Sequence, residues 1–85
     1  MRAKHKKTLL SVFTTPIKSN ILWCDIEALL LDLGADISEG SGSRVRVALN
    51  GVRAVSHRPH PKKETDKGAL KSVRRFLETA GIMPC

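Results

Sequence analysis

The residues best suited to chemistry lie in one stretch, GSRVRVALNGVRAVSHRPHP, which spans residues 42–61. Asn50-Gly51 divides this stretch into two runs of alternating residues, and Asn-Gly in that setting is the strongest short-range signal for a β-hairpin. With a two-residue loop, Leu49 pairs with Val52, and Arg44 pairs with His57. The predicted register therefore places a guanidinium directly across from an imidazole.

The two faces of this hairpin differ in chemistry, because successive side chains of a strand point to opposite sides. The apolar face predicts contact with a core and carries Val45, Val47, Leu49, Val52 and Ala54. The other face offers three guanidiniums and one imidazole to an acidic partner and carries Arg44, Arg46, Arg53, Val55 and His57. The alternative is a charged, solvated face that only protects a sheet edge, but this face has no carboxylate.

The charge of the chain also favours an acidic partner. Its 85 residues include 15 Lys or Arg against 8 Asp or Glu, a formal net charge of +7. All charged residues of the segment 19–43 are acidic, whereas Lys and Arg concentrate in residues 44–75. Such a surplus of positive charge indicates a polyanionic binding partner, most often nucleic acid. The candidate RNA-binding residues are Arg46 and Arg53 on the sheet, Arg58, Lys62 and Lys63 in the next loop, and Lys67 at a helix start. With no Tyr, one Trp and two Phe, the chain favours recognition of backbone and shape over base stacking.

Periodicity and punctuation place the elements around the hairpin. The pattern predicts a basic, flexible tail over residues 1–5, helices over 6–13, 23–33 and 66–80, and strands over 35–39, 44–49 and 52–57. Thr65 or Asp66 is the expected cap of the last helix. Pro59 and Pro61 predict a stiff loop after the hairpin, because proline cannot donate to a strand ladder.

This order of elements predicts a single α+β domain over residues 1–85. A three-stranded antiparallel sheet would be backed by helices on one side. That arrangement is close to the double-stranded-RNA-binding architecture, with an extra helix at the N-terminus.

The sequence indicates a cytoplasmic protein without metal, cofactor or membrane segment. The two cysteines, Cys24 and Cys85, make an odd disulfide framework, so we expect reduced thiols. The cysteines and histidines lack metal-ligand spacing. The N-terminal apolar run is too short for a signal peptide or a membrane span.

From about Asp25 to Ile82, the chain resembles the HicA-type toxins of bacterial toxin–antitoxin pairs. The landmarks are a helix that ends in Leu-Gly-Ala, Gly42-Ser43 before the second strand, His60-Pro61 after the hairpin, and a last helix entered through Lys67-Gly68 and closed by Ala80-Gly81-Ile82. The resemblance implies a metal-independent mRNA endonuclease with a double-stranded-RNA-binding-like fold. It also implies a HicB-like antitoxin as the neutralising partner.

One departure from the family pattern concerns catalysis. Many members carry a catalytic histidine directly after Gly-Ser, and here that position is Arg44. Because Arg44 faces His57 across the predicted hairpin, we expect His57 to act as the base and Arg44 to bind the phosphate. His60, at the family's His-Pro step, is the competing catalytic histidine. The alternatives are a non-catalytic RNA- or protein-binding module of the same fold and, more remotely, a DNA-binding protein.

Overall fold

The computed structural model describes residues 2–59 and 62–84, which form three helices and one sheet. The helices are α1 (Ala3–Val12), α2 (Trp23–Asp32) and α3 (Lys67–Thr79), and the strands are β1 (Asp36–Glu39), β2 (Arg44–Leu49) and β3 (Val52–His57). The predicted α+β class and element order are confirmed.

The sheet is antiparallel, with β2 in the centre and β1 and β3 at its edges. The predicted hairpin register is confirmed in every pair, from Leu49 with Val52 to Arg44 with His57. Asn50 and Gly51 have φ values of 51° and 80°. A two-residue turn of this kind requires positive φ at both positions, which is why Asn-Gly fixes the register locally.

A glycine with positive φ follows the C-terminal end of both α2 and α3. Gly34 follows α2 with φ 94°, and the amide of Ala35 donates to the carbonyl of Leu30 at 3.0 Å. Gly81 follows α3 in the same way, with φ 81° and a bond from Ile82 to Leu77 at 2.8 Å. These six-residue closures satisfy carbonyls that a helix end leaves free.

The start of α3 is also fixed by its own sequence. The Asp66 carboxylate accepts a hydrogen bond from the amide of Ala69 at 2.7 Å, so Asp66, rather than Thr65, is the cap. Thr65 is buried instead, with 1% of its surface exposed.

The core lies between the apolar face of the sheet and the three helices. Val45, Val47 and Leu49 of β2 are buried there. The helices contribute Leu9, Val12, Trp23, Ile26, Leu29, Leu30, Leu70, Val73, Phe76, Leu77 and Ala80. All helices therefore pack on one side of the sheet, as predicted, and the opposite side carries the polar residues of the hairpin.

The first helix differs from its predicted bounds. It begins at Ala3 and ends at Val12, so part of the segment interpreted as a tail forms its first turn. The helix is held to the rest of the fold by buried Leu9 and Val12. Arg74 of α3 also donates to the carbonyls of Val12 and Thr14, at 2.9 and 2.6 Å. Long-range packing therefore stabilises a helix whose local pattern is weak.

Candidate functional site

The open sheet face is the surface of the sheet turned away from the helices. Its cations Arg44, Arg46 and Arg53 are exposed, as are Val55 and His57. The remaining members are Asp36, Ser38 and Ala48. A shallow groove of about 540 Å³ crosses this face between Asp36 and Arg53 and includes Arg46. β1 therefore adds one carboxylate to a surface that is otherwise cationic.

Arg44 and His57 close one end of this face as a direct cross-strand pair. The next pair outward is bonded, because the Arg58 amide donates to the Ser43 carbonyl at 2.9 Å. Bonded and non-bonded pairs alternate in an antiparallel ladder, so Arg44 and His57 form a non-bonded pair, in which side chains lie closer together. This geometry suits one group that binds an anion and one that exchanges a proton.

His57 also lines a second depression, the His57 groove, with a volume of about 390 Å³. Its walls come from the end of β3, the following loop and the start of α3. They include the cation Lys62 and the carboxylates Glu64 and Asp66. The Asp66 carboxylate is engaged as the α3 cap, whereas Glu64 adds a negative charge to the groove. His57 and Lys62 are the groups of this groove suited to a phosphate.

The loop that carries Lys62 and Lys63 is tied to the entry of α2. The Trp23 amide donates to the Lys63 carbonyl at 3.0 Å, and the Thr65 amide donates to the Ile21 carbonyl at 2.7 Å. Leu22 and Glu64 form an isolated antiparallel bridge. These bonds fix the backbone of residues 63–65, and the side chains of Lys62 and Lys63 are exposed.

Arg58 differs from the other predicted RNA-binding residues because its guanidinium forms ion pairs with two carboxylates of the same chain. Its guanidinium lies 2.6 Å from a Glu39 oxygen and 2.9 Å from a Glu27 oxygen. The hydrogen bonds that Arg58 donates to the carboxylates of Glu39 and Glu27 raise the pKa of Arg58 above its ordinary value. The residue therefore joins α2, β1 and the loop after β3, and its contact with RNA stays a prediction that competes with these ion pairs.

His60 and Pro61 lie outside the described residues, as do Met1 and Cys85. The remaining predicted site residue, Lys67, is exposed on the first turn of α3. Cys24 is exposed and free. Within residues 2–59 and 62–84, no three His, Cys, Asp or Glu side chains are grouped as a metal site would need.

Two polar residues that the sequence analysis left without a role make structural contacts. His5 of α1 lies with Nδ1 3.0 Å from Oδ2 of Asp32 in α2. The imidazole lowers the pKa of Asp32. No local signal predicts this pair, because its members lie on different helices.

The fold and the exposed residues define a class of protein: a small basic α+β domain with an open, cationic sheet face and no metal cluster within its described residues. Comparison with family models identifies the family. Residues 23–82 match the model described as HicA toxin of bacterial toxin–antitoxin, so the chain belongs to the HicA toxin family. A search of curated proteins and a search of solved structures each gave no match.

The match begins at the first residue of α2 and ends with the Ile82 closure of α3. It therefore contains the whole sheet, and α1 lies before it. The family assignment confirms the resemblance that the landmarks indicated, and it identifies the chain as a toxin of the toxin–antitoxin type. No helix within the described residues is long and apolar enough to cross a membrane.

Proposed function

We propose that this toxin is a metal-independent mRNA endonuclease that acts in the cytoplasm and is neutralised by a HicB-like antitoxin. The observation that supports the proposal is the Arg44–His57 pair at the end of an open cationic face. Many family members use a histidine after Gly-Ser, and here the neighbouring strand of the hairpin places the imidazole of His57 opposite that position.

The reaction that fits this pair is an internal transesterification of RNA. His57 takes the proton of a 2′-hydroxyl, and the resulting oxygen attacks the adjacent phosphorus. The bond to the 5′-oxygen breaks, which leaves a 2′,3′-cyclic phosphate and a 5′-hydroxyl that gains a proton from an acid. Arg44 binds the non-bridging oxygens, because its planar fork matches two acceptors. His60 is the competing base and the candidate acid.

The antitoxin proposal rests on charge and exposure. A neutralising partner must cover the pair, and Arg44, Arg46 and His57 are all exposed on one face. An acidic surface on the antitoxin would complement these cations and would exclude RNA from them.

Arg44 also favours a second candidate function, a non-catalytic RNA- or protein-binding module. An arginine cannot replace a histidine as a base, since its guanidinium does not deprotonate in proteins. In that case, the fold would retain binding of RNA or antitoxin after loss of cleavage.

Cleavage of RNA by purified protein in EDTA separates these candidates. We expect wild type to cut and to leave 2′,3′-cyclic phosphate ends. His57→Ala should lower the rate by about 10²–10⁴-fold, the usual loss for a general base. Its side chain is exposed, so an unchanged thermal midpoint would show that the fold survives.

His60→Ala and Lys7→Gln are the controls. If His60→Ala loses activity and His57→Ala does not, the base lies in the loop. Lys7 is an exposed cation of α1, and its substitution should leave the rate unchanged. Wild-type protein that cuts no RNA would favour the binding module.

A further inference from the structure

A row of cations runs along α3 beside the outer edge of the sheet. Lys67, Lys71 and Arg75 are spaced four residues apart, which puts them on one side of the helix. All three are exposed, and none forms an ion pair with a described residue. Arg74, their neighbour, is instead bound to backbone carbonyls of the α1 end. We call the three exposed residues the α3 cation row.

The helix runs antiparallel to β3. The end of the strand lies near the start of α3, and the start of the strand lies near the later turns of α3. The His57 groove joins His57 to Asp66 and Ala69 at the start of α3. A second groove, the β3–α3 groove of about 420 Å³, joins Arg53 to Lys71 and Arg75. Arg53 also lines the groove of the open sheet face, so the cationic surface is continuous around the edge of β3.

The lengths of strand and helix match. His57 and Arg53 are four residues apart on a strand, roughly 13 Å. Lys67 and Arg75 are eight residues apart on a helix, roughly 12 Å. Lys71 and Arg75 share the β3–α3 groove with Arg53. Lys67, at the other end of the row, lies beside Lys62, Glu64 and Asp66 at the start of α3.

The edge of β3 offers hydrogen-bond donors as well. β3 has a neighbour on one side only. In the observed register, the backbone groups of Arg53, Val55 and His57 point away from β2. These amides have no hydrogen bond to another described segment. A ligand along this edge would meet unpaired amides on one side and ammonium or guanidinium groups on the other.

We propose that the RNA strand lies along the outer edge of β3, with its phosphates on the α3 cation row and its scissile phosphate at the His57 end. This inference rests on the proposed function and adds Lys71 and Arg75 to the RNA-binding residues. The β3–α3 groove has three cations and no carboxylate on its walls, which suits a phosphodiester backbone. Its aromatic residue, Phe76, is buried, so the groove lacks the apolar anchor that a protein partner would use.

The test measures RNA binding by the full chain as a function of salt, with 2′-O-methyl RNA that lacks the attacking hydroxyl. The variant is Lys71→Gln/Arg75→Gln, and glutamine keeps the helix propensity of both positions. The matched control is Lys6→Gln/Lys7→Gln, which removes the same charge from exposed positions of α1. Each protein is titrated with a trinucleotide and with an RNA of roughly twelve nucleotides.

On the longer RNA, the α3 variant should reduce the magnitude of the log–log salt slope by roughly 1.4, two contacts at about 0.7 each. The trinucleotide should show a smaller change, because its two internucleotide phosphates cannot contact His57, Lys71 and Arg75 at the same time. The control should keep the wild-type slope on both RNAs. An unchanged slope for the α3 variant, or an equal loss in the control, would overturn the inference.

Parallel assays keep this inference separate from the proposed function. Wild-type cleavage of unmodified RNA together with an unchanged slope would refute the RNA path and leave the nuclease standing. A reduced slope with a wild type that cuts nothing would support the path in a non-catalytic module. Weaker antitoxin binding by the α3 variant with an unchanged RNA slope would assign the groove to the protein partner and contradict the proposal.

Discussion

Asn50 in the hairpin turn donates a hydrogen bond from Nδ2 to the carbonyl oxygen of Ala80 at the end of α3, at 2.8 Å. One residue thus adopts the positive φ that sets the strand register and also satisfies a carbonyl at a helix end. This bond fixes the turn of the hairpin relative to the helix that carries the cation row.

Asn50→Gly and Asn50→Ala should separate these two roles. Glycine tolerates positive φ and removes only the amide donor, so we expect a loss of about 0.5–1.5 kcal/mol in the free energy of unfolding. Alanine adds the cost of a left-handed conformation, about 1–2 kcal/mol more. Denaturant unfolding of both variants measures the difference. Equal stability of the two would contradict a role for φ at this position.

Arg46 and Arg53 should contribute to RNA binding without contributing to stability. Both point away from the core, so Arg46→Ala/Arg53→Ala should weaken binding and keep the thermal midpoint. If wild type neutralises about five phosphates, its salt slope on single-stranded RNA should be roughly −3 to −4, and the variant should lose roughly 1.4 of it.

Arg58→Gln is the matched comparison, because Glu27 and Glu39 already neutralise this cation. We expect a lower thermal midpoint and an RNA salt slope close to wild type. A slope that falls as far as in the Arg46/Arg53 variant would show that Arg58 releases its carboxylates to bind phosphate.

Antitoxin binding over Arg44, Arg46 and His57 should slow hydrogen exchange in the strands beneath it. The amides of Arg53, Val55 and His57 are not paired with β2, so they are the most sensitive reporters of a partner on the open sheet face. We expect slower exchange there when the HicB-like antitoxin is added, and no change along the exposed side of α1. Unchanged exchange throughout residues 44–57 would refute the proposed interface.

Asp32 should make the stability of the fold sensitive to acid. The imidazole of His5 lowers the pKa of this carboxyl in the folded state. A carboxyl group whose pKa is lower in the folded than in the unfolded state stabilises the fold at pH values above its unfolded pKa, near 3.9. This stabilisation is lost as the pH falls through the folded-state pKa. The thermal midpoint of Asp32→Asn should therefore fall less than that of the wild type as the pH is lowered from about 5 to 3.

Asp36→Asn is the control for that titration. Asp36 is exposed on β1 and forms no ion pair with a described residue. Its variant should follow the wild-type curve. A wild-type acid response in Asp32→Asn would show that the contact with His5 adds no pH-dependent stability.

The hairpin and the helix ends could be predicted because both depend on residues that are close together in the sequence. Asn50 and Gly51 adopt positive φ, alternation assigns each side chain to a face, and both properties depend on neighbouring residues only. The Gly34 and Gly81 closures follow from the same kind of rule. The Arg44–His57 pair could therefore be predicted from the sequence, since register is the only information it needs.

The use of each cation depended on the tertiary structure. Arg58 and Arg75 look alike in the sequence, yet Arg58 meets Glu27 across 31 positions of chain, and Arg75 stays exposed beside β3. Arg74 reaches Thr14 across 60 positions. A sequence pattern records which charges exist, but long-range packing decides which are neutralised within the fold and which face solvent, because that depends on distances between segments far apart in the chain.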